Sequence, residues 1–292
     1  MSAPLFFAIV LAIAIPAALL RSHRLDPAFT ERWAGDHGLA LTPQTRPLVE
    51  RYLRKARVLR TWGGVAGAVL PSLAEVAVDG RVQVLGFGTD GTSAPLGFGT
   101  IFVGYLLGVL IAEVSLVRPA DGPRRTAGLQ RRELAAYLPR RIVLAQRAAA
   151  IAGAVGTVGI GLVPYAAAVH NPRLASLALA ALAVLAFGAG LEAIERWLVR
   201  RPQPFTSPPL VAADDAIRAQ SIHAVAGAGL ALALLYCCGI ALALQGSEVA
   251  ALRTAMVVPA AACLVLSCLA CRGIGESTWR VRRARPAGTA SA

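Results

Sequence analysis

Charge is scarce in this chain, and lysine is almost missing. Only 15 % of the residues are Asp, Glu, Lys or Arg, whereas 56 % are apolar and the mean hydropathy is +0.61. The polar groups available cannot cover the surface of a water-soluble protein, which excludes most soluble-enzyme readings. Acidic residues are fewer still, 16 against 29 cationic ones. The formal charge of +13 would suggest a nucleic-acid partner if the cations were gathered on one domain. They lie instead between long apolar runs, so no nucleic acid is expected. Lys55 is the single lysine. With abundant alanine, this looks like the composition of a GC-rich bacterial genome rather than a functional choice.

The motifs of several chemistries are missing as well. No HExxH pattern, no GxSxG elbow and no P-loop occurs, which argues against an intramembrane metalloprotease, a serine hydrolase and autonomous ATP hydrolysis. His23, His37 and His170 are scattered over connections, and His223 has no second histidine nearby; a hydrogen bond between helices is its expected role. The five cysteines, Cys237, Cys238, Cys263, Cys268 and Cys271, all lie in apolar runs, which argues against a secreted disulfide scaffold. Cys268-x-x-Cys271 sits at the end of the last run, where a helix dipole does not favour thiolate, and no second pair completes a zinc site. No cofactor or metal is expected.

What the sequence does have is seven apolar stretches near the length that crosses a bilayer: 4–20, 61–78, 96–117, 142–169, 174–192, 222–245 and 249–271. The fourth is overlong, and Pro164 is expected to end or kink it. Direction follows from the cations. Of the 29, 26 fall in segments 21–60, 118–147, 192–221 and 272–292, and only Arg81, Arg173 and Arg253 fall in the intervening connections. By the positive-inside rule the arginine-rich side is cytoplasmic. The expected fold is therefore an all-α, polytopic transmembrane helix bundle of seven helices, N-out and C-in, in a plasma membrane. Residues 1–20 form its uncleaved first anchor, because Met1-Ser2-Ala3 carries no cation while Arg21 and Arg24 follow the apolar run. Residues 61–271 form the core, and 272–292 a basic, then disordered tail.

Residues 21–60 form the largest cytoplasmic element. Asp26-Pro27 has the form of a cap followed by proline at the first helical position, and Gly38 can stop that short helix. A second helix starts near Pro43 or Pro47, with Leu48, Val49, Tyr52, Leu53 and Ala56 on one face and Arg51, Arg54 and Lys55 on the other. Such a helix lies along the headgroups or docks against the bundle.

An internal repeat runs through the core. Gly108-(x4)-Glu113-x-x-Leu116-Val117-Arg118 recurs as Gly190-(x4)-Glu195-x-x-Leu198-Val199-Arg200. Ala145-Gln146-(x3)-Ala150-Ile151-Ala152-Gly153-Ala154 recurs as Ala219-Gln220-(x3)-Ala224-Val225-Ala226-Gly227-Ala228. A fainter third copy spans 60–68, where Arg60 takes the Gln place before Val65-Ala66-Gly67-Ala68. Duplicated parallel hairpins, 96–165 and 174–245, plus one extra helix are the expected architecture. Small-residue spacings such as Gly63/Gly67 and Gly153/Gly156, with Gly159 and Gly161 beyond, imply close helix approach.

Glu75, Glu113, Glu192 and Glu195 are the carboxylates nearest hydrocarbon. Charge at that depth is costly unless paired, snorkelled or neutral. The expected site is one polar intramembrane cluster at the inner level: Glu113, Glu195, Gln146, Gln220 and His223. A basic cytoplasmic surface, Arg124, Arg125, Arg131 and Arg132, is expected to meet anionic lipid or a protein partner. The outer connection 79–95 carries Gly86-x-Gly88-x-x-Gly91, which matches a dinucleotide fingerprint in spelling but lacks the strand and helix around it. These features point to a transport-related, permease-like subunit. The competing expectations are a non-enzymatic membrane scaffold or regulatory partner, and an intramembrane lipid-modifying enzyme, for which the histidines fail to converge.

Overall fold

The computed structural model describes residues 26–77, 98–115, 133–163, 174–202, 207–245 and 249–275. Those residues form α1 (Pro27–Asp36), α2 (Arg46–Ala77), α3 (Phe98–Ser115), a 3₁₀ turn (Leu134–Ala136), α4 (Arg140–Ile160), α5 (Leu174–Arg200), α6 (Pro208–Gln245), α7 (Ala250–Ala255) and α8 (Val257–Gly275). There is no strand among them. The first predicted span, the glycine-rich connection 79–95, Arg124, Arg125, Arg131, Arg132 and the tail beyond 275 lie outside the described residues.

Four helical stretches, Arg140–Ile160, Ala175–Arg200, Pro208–Gln245 and Ala250–Cys271, are long and apolar enough to cross a membrane, and Thr100–Ser115 is a shorter apolar helix. Several predicted boundaries change: α6 begins at Pro208 rather than 222 and α5 runs on to Arg200, so most of the expected connection 192–221 is helical. The segment expected as a separate amphipathic helix and the predicted span 61–78 are one continuous helix, the 32-residue α2, because nothing between Arg57 and Gly63 breaks the backbone ladder. The predicted span 249–271 divides at Met256 into α7 and α8; Pro259 lacks the N–H that would bond a carbonyl one turn back, so it fits the first turn of a new helix rather than a helix interior. α4 ends at Ile160, four residues before Pro164, which shortens the overlong fourth run.

Local signals at α1 are those the sequence suggests. The Asp26 carboxylate accepts from the Ala28 N–H at 3.0 Å, Pro27 follows it, and Gly38, at φ 62°, turns the chain away in the left-handed region that glycine enters without a Cβ clash. Trp33 of α1, Tyr52 and Ala56 of α2, and Ala216 and Ile217 of α6 close over one another as a small core. Arg51, Arg54 and Lys55 stay exposed on the opposite face. The amphipathic segment therefore docks on the bundle.

α6 is the hub. It packs against α2, α3, α4, α5, α7 and α8, and 61 % of its apolar window is buried, against 17 % in α5 and in the 250–271 stretch. Its alanine- and glycine-rich centre lets neighbours approach from every side. The outer helices instead expose apolar side chains: Ile151 and Val155 on α4, Leu179 and Leu182 on α5, Val258 and Val265 on α8. Such contiguous apolar exposure is unsuited to water and suited to lipid.

The closest helix pair is α2 with α3. A Cβ built on Gly63 would lie 2.6 Å from the Gly108 Cα, and one on Gly104 would lie 2.6 Å from the Gly67 Cα. Gly63-x3-Gly67 therefore faces Gly104-x3-Gly108 backbone to backbone. α4 packs equally against α5 and α6, and α6 packs most extensively against α8, while α3 and α4 hardly touch. The expected hairpin 96–165 is therefore not a packing unit; α3 packs on α2 across the glycine seam instead.

Candidate functional site: two buried carboxylates

Glu113 is fully buried on α3. The Tyr52 hydroxyl donates toward its two oxygens at 3.2 and 3.3 Å, and Arg60 Nη2 donates to Oε1 at 2.9 Å. Both partners come from α2, brought level with Glu113 by the glycine seam. Burial, reinforced by the carboxylate, pushes the Tyr52 phenol well above its ordinary range, so its proton stays in place for donation. Ser221 of α6 lies near the Tyr52 hydroxyl, which sets the pair beside α6. A carboxylate matched by a guanidinium and a hydroxyl is a neutralised, structural arrangement.

Glu195 occupies the matching repeat position on α5 and is equally buried, but its environment differs. Gln146 Nε2 donates to Glu195 Oε1 at 2.9 Å and to the Ala226 carbonyl at 3.3 Å. Both amide hydrogens are then spent. Glu195 Oε2 and Gln146 Oε1 have no hydrogen-bond partner among the described residues. The neighbouring arginines do not fill the gap, because Arg147 and Arg196 both bind Glu192, Arg147 Nη2 at 3.0 Å and Arg196 Nη2 at 2.6 Å. Glu195 is a buried carboxylate held by an amide, with no cation in contact among the described residues.

The two arrangements share a register. Arg60 precedes Gly67 by the same seven residues that separate Gln146 from Gly153, and each faces the glutamate of the helix packed beside it. Arg60 therefore stands in the Gln place in space as well as in sequence. Of the other cluster residues, Gln220 lies on the Glu113 side, in a cavity of about 210 Å³ that it lines with Tyr52, Arg60 and Tyr105. His223 turns elsewhere, with Nε2 2.7 Å from the Tyr137 carbonyl beside the 3₁₀ turn. The structure thus brings Gln146 to Glu195 and Gln220 towards Glu113, and α6 stands between the two groups. It does not gather all five residues at one point.

Sequence reasoning missed the cationic partners and a third ionic group. Asp214 Oδ1 accepts from Arg201 at 3.0 Å and Oδ2 from Arg218 at 2.9 Å, while Arg218 Nη1 bonds the Val199 carbonyl at 3.1 Å. Arg218 is only 1 % exposed. This group fastens the end of α5 to the start of α6. Its available signal was the i,i+4 spacing of Asp214 and Arg218 on a helix, hidden because the stretch reads as a connection.

Among the described residues the cysteines are free thiols, with Cys237 Sγ donating to the Ala149 carbonyl at 3.3 Å, and no three His, Cys, Asp or Glu side chains gather as a metal would require. Comparison with protein-family models, with curated proteins and with solved structures returned no match.

Proposed function

We propose that this chain is a multi-pass membrane protein acting as a transport-related, permease-like subunit, and that Glu195 is the carboxylate that binds the coupling proton. The observation that carries the reading is the contrast between the two repeat-related glutamates. Glu113 has a cation and a hydroxyl; Glu195 has one amide. Intramembrane carboxylates are expensive, and one left without a counter-charge marks an ion path more readily than an anchor. The parallel register of the α2/α3 and α4/α5 pairs, the small-residue faces and the lipid-like exposure of α4, α5 and α8 support the same reading. In this proposal the bundle runs N-out and C-in, with the arginine-rich connections in the cytoplasm.

The test is proton flux into proteoliposomes. Glu195→Gln keeps shape and hydrogen bonding but removes the ionisable group, and it is expected to lower flux at least about tenfold, the scale of one lost charge-assisted interaction. Equal flux in the wild type and E195Q would remove the transport reading. Orientation is checked separately by cysteine-accessibility labelling on a cysteine-free background. A probe at Thr89 should label in intact cells, and labelling only after lysis would reverse the assignment.

A second reading has its own observation. Arg51, Arg54 and Lys55 form an exposed basic face on α2. With the arginine run Arg124, Arg125, Arg131 and Arg132, that face suits a scaffold that binds anionic lipid or a cytoplasmic protein at about 1 kcal/mol per cation. It requires sensitivity to arginine neutralisation and indifference to Glu195.

A further inference from the structure

A second cavity, of about 390 Å³, lies between α4, α5 and α6, with Leu107 of α3 at its wall. That is within the usual range for small-molecule sites. Its walls are mostly apolar and small, among them Ala150, Val184, Gly188, Gly229 and Leu232, with Phe187 as an aromatic wall. Two polar groups break this lining, Gln146 and Tyr236. Ala226, which Gln146 touches, and Tyr236 are ten residues apart on α6, so the polar groups are roughly 15 Å apart along the helix.

The hydrogen-bond polarity of those groups can be assigned. Thr157 Oγ1 donates its single hydrogen to the Gly153 carbonyl at 2.7 Å, so in its 2.8 Å contact with Tyr236 Oη the tyrosine must be the donor. Tyr236 then offers the cavity only lone pairs. Gln146 has spent both amide hydrogens on Glu195 and Ala226, which leaves Oε1, buried and without a partner among the described residues, as its one free group. Behind it stands Glu195, with one oxygen unpartnered. Each polar feature of the cavity is thus an acceptor, and the nearest formal charge without a contacting cation is negative. The other charged groups at this level, Arg147, Arg196 and Glu192, are bound to one another.

We infer that this cavity binds an elongated hydrophobic amine, with its ammonium group at Gln146 Oε1 beside Glu195 and its alkyl body between α4, α5 and α6. A neutral or acidic amphiphile lacks the charge that Glu195 requires, and an acid would add a second negative group to it. The ammonium supplies up to three donors to a site composed of acceptors. The inference rests on the transport reading for the passage of such an amine, with Glu195 exchanging a proton for the ammonium. Binding itself can be measured without flux.

The experiment is equilibrium binding of decylammonium to the full-length protein in detergent, by calorimetry, with decanol and decanoate as matched probes. Decylammonium is expected to bind at least about tenfold more tightly than either. E195Q should abolish that preference while leaving decanol binding unchanged. Ala183→Trp, at an exposed lining position, should weaken decylammonium and decanol together in a protein that still elutes as the wild type. Equal affinity for all three probes, an unchanged preference in E195Q, or binding indifferent to A183W would each overturn the site. Amine binding without flux in proteoliposomes would keep the site and remove the transport reading. Flux that depends on Glu195 without amine binding would do the opposite.

Discussion

Glu113→Gln is expected to destabilise the folded protein by about 3–5 kcal/mol, the usual cost of removing one partner from a buried ion pair. The variant leaves Arg60 charged, 16 % exposed at its side chain, with only an amide oxygen in place of the carboxylate. The same change at Glu195 is expected to cost within about 1 kcal/mol, since it removes a charge that no cation balances and leaves an amide able to pair with Gln146. Thermal and denaturant unfolding in detergent reads both. A sharper check is the double variant R60Q/E113Q, which replaces the ion pair by a neutral amide–amide contact. It should recover most of the E113Q loss, because the penalty is the stranded guanidinium rather than the missing bond. Equal losses in E113Q and E195Q would mean that the two glutamates are equivalent anchors.

The other large effect concerns the α2/α3 seam. Gly63→Leu or Gly104→Leu places a side chain where Gly108 and Gly67 backbone atoms already lie, and no rotamer change moves a backbone. Overpacking usually costs about 1–3 kcal/mol; here the helices must separate, so the loss should reach or exceed the top of that range. Separation also draws Arg60 and Tyr52 away from Glu113, and the two penalties come together. Gly190→Leu is the control. Nothing lies within 4 Å of a Cβ at that position, and leucine is the better helix former by somewhat under about 1 kcal/mol. Yield of monodisperse protein and its unfolding midpoint should fall sharply for the seam variants and stay level or rise for G190L. A seam variant as stable as the wild type would show that these glycines are not in close contact.

Much of the fold was legible in the sequence because hydropathy is a property of long windows. The apolar runs 142–169, 174–192, 222–245 and 249–271, each of which overlaps a helix, needed only a count of apolar residues, and the repeat pointed to Glu113 and Glu195 together. What could not be read was which helix faces which. The repeat compares α3 with α5 and α4 with α6, but packing follows the surfaces. The glycine seam binds α3 to α2, and the small-residue surface of α6 receives six other helices. Tyr52 escaped attention because residues 21–60 read as a separate surface element; an unbroken α2 carries it to Glu113. Arg60 was visible only as a weak match to a glutamine. The cavity beside Gln146 was invisible to any one-dimensional reading, since four helices line it and the direction of its hydrogen bonds depends on Thr157, four residues from the carbonyl it occupies.

Glu195, and not Glu113, is proposed as the buried carboxylate that exchanges its proton. Infrared difference spectra of the reconstituted protein between acidic and alkaline media decide this, because a protonated carboxyl group in an apolar site gives its own carbonyl band. The expected result is a band that is lost in E195Q and unchanged in E113Q. A band lost in E113Q and retained in E195Q would assign the proton to Glu113 and refute the proposal.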